Sequence, residues 1–208
     1  MKKMIVSMVM LATIALAPAV SNAETASITS GVMNMSYTPI TFAPVQLNST
    51  VNQTINGTSN ISVTDDRGTG GGWAIKLSVT EFISDSIADL SSGGTGQMVV
   101  KLPANSLIVT LSNKTLVSGQ GIDAINGPLI PSLPLTMTTG SNPMLMAASP
   151  GFGMGSYKAD AVFSVTVPKT VEVVSFTGSG SKYTVGAAIG TIATTYRSTF
   201  TFSTVVGI

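Results

Sequence analysis

The stretch Ile61 to Phe82, ISVTDDRGTGGGWAIKLSVTEF, limits the fold more than any other part of the chain. Trp73, Ile75, Leu77 and Val79 alternate with Ala74, Lys76, Ser78 and Thr80. That period of two belongs to a strand with one buried face. Upstream, Ile61 and Val63 alternate with Ser62 and Thr64 until Asp65, Asp66 and Arg67 break the pattern. Gly68, Gly70, Gly71 and Gly72 then supply the backbone freedom of a tight reversal. The expectation is a hairpin whose second strand delivers Trp73, the only tryptophan, into a core.

The same texture recurs downstream. Tyr157 to Val167 places Ala161, Phe163, Val165 and Val167 on one face, and Pro168 ends the run. Tyr196 to Val205 sends Phe200 and Phe202 one way and Arg197, Thr199, Thr201 and Ser203 the other. Shorter strands are expected over 45–55, 97–102, 106–111, 115–117, 135–139, 171–176 and 183–189, with an edge strand carrying Pro39 over 34–42. Residues 118–134 and 140–155 read as loops, the second rich in methionine (Met144, Met146, Met154), and 84–90 as a helical turn or an irregular loop. Helical periodicity is almost absent. The chain is therefore expected to be all-β, a single β-sandwich of Ig-like or jelly-roll type with short antiparallel strands and long Gly/Pro loops.

Residues 1–23 stand apart. Lys2 and Lys3 precede an apolar run from Met4 to Ala17, Pro18 breaks it, and Ser21-Asn22-Ala23 offers the small residues that a signal peptidase reads. The expected product starts near Glu24 and keeps 185 residues, enough for one sandwich domain. Without Lys2 and Lys3, eight basic residues face nine acidic ones, a net charge of −1. No basic stripe is present to grip phosphates, so nucleic acid is not an expected partner. No further apolar stretch is long enough to span a membrane.

Charged residues make up 9% of the chain, against roughly 25% in ordinary soluble proteins. Thr, Ser, Asn and Gly carry the polar faces instead, as on surface and fibrous β proteins. The chain has no cysteine, so an exported domain of this kind must stabilise itself without disulfides. A cysteine-free export product behind a Lys-Lys leader reads as bacterial. The Asn-x-Ser/Thr triplets at Asn48, Asn52, Asn56, Asn60 and Asn113 then read as polar strand or loop, not as glycan acceptors.

Chemistry has few candidates. With no His and no Cys, imidazole base catalysis, thiol nucleophiles and zinc sites are excluded. Carboxylate pairs such as Asp85 with Asp89, or Asp123 with Asp160, lack any context that suggests a glycosidase cleft. Gly68 to Gly72 is not followed by a helix or by Lys-Ser/Thr, so it is no phosphate loop. Asp65, Asp66 and Arg67 have two readings: a weak cation or ligand clamp, or a turn in which the carboxylates accept N–H bonds and Arg67 pairs with one of them. Too few carboxylates cluster for a firm Ca²⁺ site, and no cofactor is expected. Leu133-Pro134-Leu135-Thr136-Met137 lacks the glycine and the terminal span of a sortase signal.

The order of these pieces resembles the WxL-domain surface proteins of Gram-positive bacteria. Those domains have a strand ending in phenylalanine, here Pro39-Ile40-Thr41-Phe42, then V-x-D-x-R-G-x-G-x-G-W, here Val63 to Trp73. A glycine-rich segment (Gly151 to Gly155) precedes a V-x-V-P strand (Val165 to Pro168), and a strand opening on tyrosine, here Tyr196, closes the domain. The resemblance spans most of residues 24–208. Trp73-Ala74-Ile75 stands where the family has Trp-x-Leu, and Phe200 or Phe202 stands where it has a second tryptophan. It implies a secreted, non-catalytic protein held non-covalently on the Gram-positive cell wall, on peptidoglycan, with other surface proteins as further partners. The motif residues it implies are Trp73, Ile75, Asp65, Asp66, Arg67, Phe200 and Phe202. Trp73 is either core or a sugar contact, with alternation favouring core. The rival expectation is a structural subunit that polymerises through edge strands into a surface fibre, and a carbohydrate-active enzyme ranks third.

Overall fold

The computed structural model describes residues 27–208 except Ser49, Ser92 and Pro103, and the leader expected over 1–23 lies outside them. In chain order the strands are β1 (Met33–Tyr37), β2 (Gln53–Asp65), β3 (Trp73–Val79), β4 (Ile83–Ser84), β5 (Ile87–Ala88), β6 (Gln97–Lys101) and β7 (Leu107–Gly119). There follow β8 (Leu135–Thr136), β9 (Met144–Ala148), β10 (Gly155–Val167), β11 (Thr170–Phe176), β12 (Ala188–Gly190), β13 (Tyr196–Arg197) and β14 (Phe200–Val206). They form three antiparallel sheets, ordered β1-β2-β10-β7-β8, β12-β11-β6-β4-β13 with β5 also on β6, and β14-β3-β9. The fold is all-β and sandwich-like. Among the described residues no helix is long and apolar enough to cross a membrane.

The strands are not uniformly short. β2, β7 and β10 each run for 13 residues, and β2 and β10 pair without a break from Gln53 opposite Val167 to Asp65 opposite Gly155. Ile61, Val63, Tyr157, Ala161, Phe163 and Val165 from this sheet are buried in one cluster with Trp73, Ile75 and Leu77 of β3 and with Val100 and Val173 of the second sheet. One continuous core thus joins all three sheets, as a β-rich chain without disulfides requires.

The expected hairpin does not form. β2 pairs with β1 and β10, whereas β3 pairs with β14 and β9 in a different sheet. The glycine turn is a corner that carries the chain between sheets. Gly72 must be glycine there: its φ is +69°, and a Cβ would stand 2.9 Å from both Ala148 O and Pro150 N.

Other expectations shift for similar reasons. The break expected between the strands over 106–111 and 115–117 is a bulge inside continuous β7, where Asn113 adopts φ 49° and the register with β10 slips. Asn113 Nδ2 and Asn60 Nδ2 donate to the two oxygens of Asp160 at 2.8 and 2.7 Å, so both sequon asparagines serve a cross-strand clamp. The described residues of 45–52 are not strand, and β2 starts at Gln53. The expected methionine loop contains β9, where Met146 is buried while Met144 is exposed. The segment read over 84–90 instead holds the end of β4 and all of β5, and of 183–189 only Ala188 and Ile189 are strand, in β12. The last expected strand is cut at Ser198-Thr199, so that β13 and β14 enter different sheets.

Candidate functional site

The charged turn is closed on itself. Asp65, the last residue of β2, is 3% exposed. Arg67 forks onto it, Nε to Oδ1 and Nη2 to Oδ2, both at 2.8 Å, and the Arg67 backbone N–H donates to Oδ1 at 3.2 Å. Arg67 Nη2 also donates to Gly72 O at 3.1 Å, which ties the corner to the start of β3. The guanidinium holds the Asp65 carboxyl below its ordinary range against the opposing effect of burial, and Arg67 is raised in turn. Asp66 is exposed and joins only through its backbone, donating to Val32 O and accepting from Gly31 N–H at 3.1 and 3.0 Å. Arg67 thus occupies both of the Asp65 oxygens that the weak cation site raised for Asp65 and Asp66 would use. Among the described residues no group of three acidic, His or Cys side chains is placed to hold a metal.

Trp73 is 0% exposed, as is Ile75. Its Nε1 donates to Gly153 O at 2.9 Å, and its ring tilts against Tyr157 with centroids 6.2 Å apart. The Tyr157 hydroxyl donates to Gln120 O at 2.6 Å, and burial raises its pKa. Trp73 thus fastens β3 to the Gly151–Gly155 segment and has no face left for a sugar ring. Of the two readings open for Trp73, its burial is that of a core residue, and the motif residue Ile75 is buried likewise.

Phe200 and Phe202 lie elsewhere, in an aromatic group assembled from distant parts of the chain. Phe200 meets Phe163 edge-on at 5.7 Å, Phe82 edge-on at 6.1 Å and Phe42 at 6.4 Å. Tyr37, at the end of β1, stacks on Phe202 at 4.2 Å and remains 44% exposed. Beside this group opens a cleft of about 860 Å³ lined by Tyr37, Pro39, Phe42, Phe82, Tyr196 and Arg197, among others. An adjoining apolar cavity of about 350 Å³ shares Phe42, Phe82 and Tyr196 with it.

The cleft has a polar rim. Arg197 on β13 forks onto Asp85, Nε to Oδ1 at 2.9 Å and Nη2 to Oδ2 at 3.2 Å, which lowers the Asp85 pKa. Both side chains stay exposed, so the pair is solvated and open to exchange for a ligand. Ser198 Oγ donates to Thr80 O at 2.6 Å, and the Thr199 N–H donates to Thr80 Oγ1 at 2.8 Å. Glu81 pairs with Lys101 at 3.0 Å. Tyr196 donates its hydroxyl to Ile192 O at 3.1 Å, and burial raises its pKa. Aromatic faces beside hydroxyls and a guanidinium can stack on a pyranose ring and hydrogen-bond its substituents.

Of the carboxylates singled out as acid–base pairs, Asp85 pairs with Arg197 and the other three have hydrogen-bond partners of their own, with Asp89 Oδ2 left buried and unpaired among the described residues. Asp89 accepts the Ser91 N–H at 2.8 Å, Asp123 accepts the Ile125 and Asn126 N–H groups at 2.8 and 2.7 Å, and Asp160 holds the two asparagines. Sequence reasoning missed Tyr37 and Phe82 as cleft residues. No signal in the sequence marks them, because Tyr37, Phe42, Phe82 and Phe200 come from distant parts of the chain and meet only in the folded structure. No family model matches the chain, and neither the curated proteins nor the solved structures give a match.

Proposed function

We propose that this is a secreted, non-catalytic surface protein that binds the Gram-positive cell wall non-covalently, with the glycan of peptidoglycan as its ligand. The observation that carries the reading is the aromatic cleft, where exposed Tyr37 stacked on Phe202 offers a ring-sized apolar platform. Arg197 at its rim suits the carboxylates and amides that decorate such a polymer. The leader-like pattern of residues 1–23 and the ordered resemblance to WxL domains support a location at the cell surface. The absence of His and Cys removes the commonest catalytic groups, and Asp65, Asp123 and Asp160 serve as caps and clamps.

Co-sedimentation of the secreted chain with purified walls tests the reading, beside Tyr37→Ala and Arg197→Ala. An aromatic platform contributes about 0.5–1.5 kcal/mol beyond its area, so Tyr37→Ala is expected to weaken pelleting by roughly tenfold. Both variants should melt close to the unaltered protein. If the unaltered chain stays in solution, or if both variants pellet as it does, the cleft is not a wall site.

A further inference from the structure

β14 is hydrogen-bonded on one side only. The phase of its ladder with β3 follows from two bonds, Gly207 N–H to Gly72 O at 3.3 Å and Thr80 N–H to Thr199 O at 3.1 Å. Alternation along an antiparallel ladder then turns the backbone groups of Thr201, Ser203 and Val205 toward β3. Those of Phe200, Phe202, Thr204 and Val206 point away from it, and among the described residues no strand pairs with that outer side. The strand carries no charge, no proline and no bulge, so the usual protections of a sheet edge are missing. The inner face is also incompletely covered. Val206 sits opposite fully buried Trp73 yet is 53% exposed, which is the situation of an apolar residue whose neighbouring strand is absent.

A segment that fits this edge precedes β1. Ser27–Val32 is exposed throughout and belongs to no strand, with Ile28 95% exposed. Its root is fixed by Gly31 N–H to Asp66 O at 3.0 Å and Ser30 Oγ to Arg67 O at 2.8 Å. The exposure of Ile28 shows that the segment does not lie on its own copy of β14. It is uncharged, and its six residues extend to about 20 Å beside the roughly 23 Å of β14. Removal of the leader at Ala23 would add three further residues, Glu24 to Ala26, to its reach. A net charge of −1 on the secreted chain sets little repulsion between copies.

We propose that Ser27–Val32 of one copy adds as a strand to the free edge of β14 in a second copy. Main-chain bonds to Phe202, Thr204 and Val206 supply the attraction, and Ile28 and Val32 cover the open end of the inner face. The contact uses the outer backbone edge of the strand whose Phe200 and Phe202 carry the aromatic group.

Sedimentation velocity over a concentration series tests this with the secreted chain, together with amide exchange of β14. The unaltered chain is expected to gain mass with concentration while the Phe202, Thr204 and Val206 amides become protected. Thr204→Pro removes an N–H that faces away from β3, so the β3 ladder survives. Thr204→Lys places a charge on the edge without touching any backbone bond, and reports on the edge should the proline variant fail to fold. Ile28→Asp alters a residue that a single copy leaves in solvent. Folded Thr204→Lys and Ile28→Asp should each associate about tenfold or more weakly, while Ile28→Val associates as before. The proposal is overturned if the unaltered chain is monomeric at every concentration, whether or not its β14 amides are protected. It is equally overturned if Ile28→Asp assembles like the unaltered chain, since another segment then fills the edge.

Discussion

Replacing Trp73 with alanine separates a core role from a contact role most sharply. A buried tryptophan removes about 150–250 Å² from water, and at about 25 cal/mol per Å² the whole side chain contributes about 4–6 kcal/mol. Alanine retains part of this, and Trp→Ala changes in cores cost about 3–5 kcal/mol. Here the Nε1 bond to buried Gly153 O is lost as well, leaving a carbonyl unpaired, which sets the expectation at the upper end of that range. With about 2–4 °C of Tm per kcal/mol for a domain of this size, Trp73→Ala should melt about 8–20 °C lower. Stability is only about 5–15 kcal/mol for most domains, so little margin would remain. Trp73→Phe keeps most of the ring and loses only the donor and some volume, so about 1–2 kcal/mol is expected. Circular dichroism melts and urea titrations are the assay, since the substitution removes the only indole fluorophore. A Trp73→Ala protein that melts within about 2 °C of the unaltered chain yet no longer pellets with cell walls would refute the burial argument and return Trp73 to the ligand.

Three further outcomes are expected. Asp65→Asn leaves Arg67 without its buried partner, and because the Arg67 side chain is partly solvated the cost should be about 2–3 kcal/mol by urea titration, below that of a fully buried pair. Because the folded pKa of Asp65 lies below its unfolded value, the stabilisation is complete above the ordinary carboxylate range and is lost as pH falls through the lowered value. Acid titrations of the unaltered chain should show this loss and those of Asp65→Asn should lack it. Gly153→Ala should cost at least about 2 kcal/mol in the same assay, because the φ there is +75° and a Cβ would stand 2.4 Å from Ala148 Cβ and 2.7 Å from Trp73 Nε1.

Local pattern determined which residues of this protein face inward. Trp73, Ile75, Leu77 and Val79 are all buried, as are Ala161, Phe163 and Val165, because a two-residue period is a property of the extended backbone itself. The Asp65–Arg67 pairing in the turn was legible for the same reason, since both groups lie within two residues of each other. Which strand pairs with which was not legible. The glycines of 68–72 permit a reversal and equally permit a corner, and only the competition of β10 for β2 and of β14 for β3 decides between them. Asn113 shows the same limit on a smaller scale: it has the chemistry of a turn residue, and β10 holds it in a bulge. The cleft depended wholly on the tertiary fold. Tyr37, Phe42, Phe82 and Phe200 meet only after three sheets have closed on one core, and hydrogen bonding between strands far apart in sequence leaves no periodic trace in any one of them.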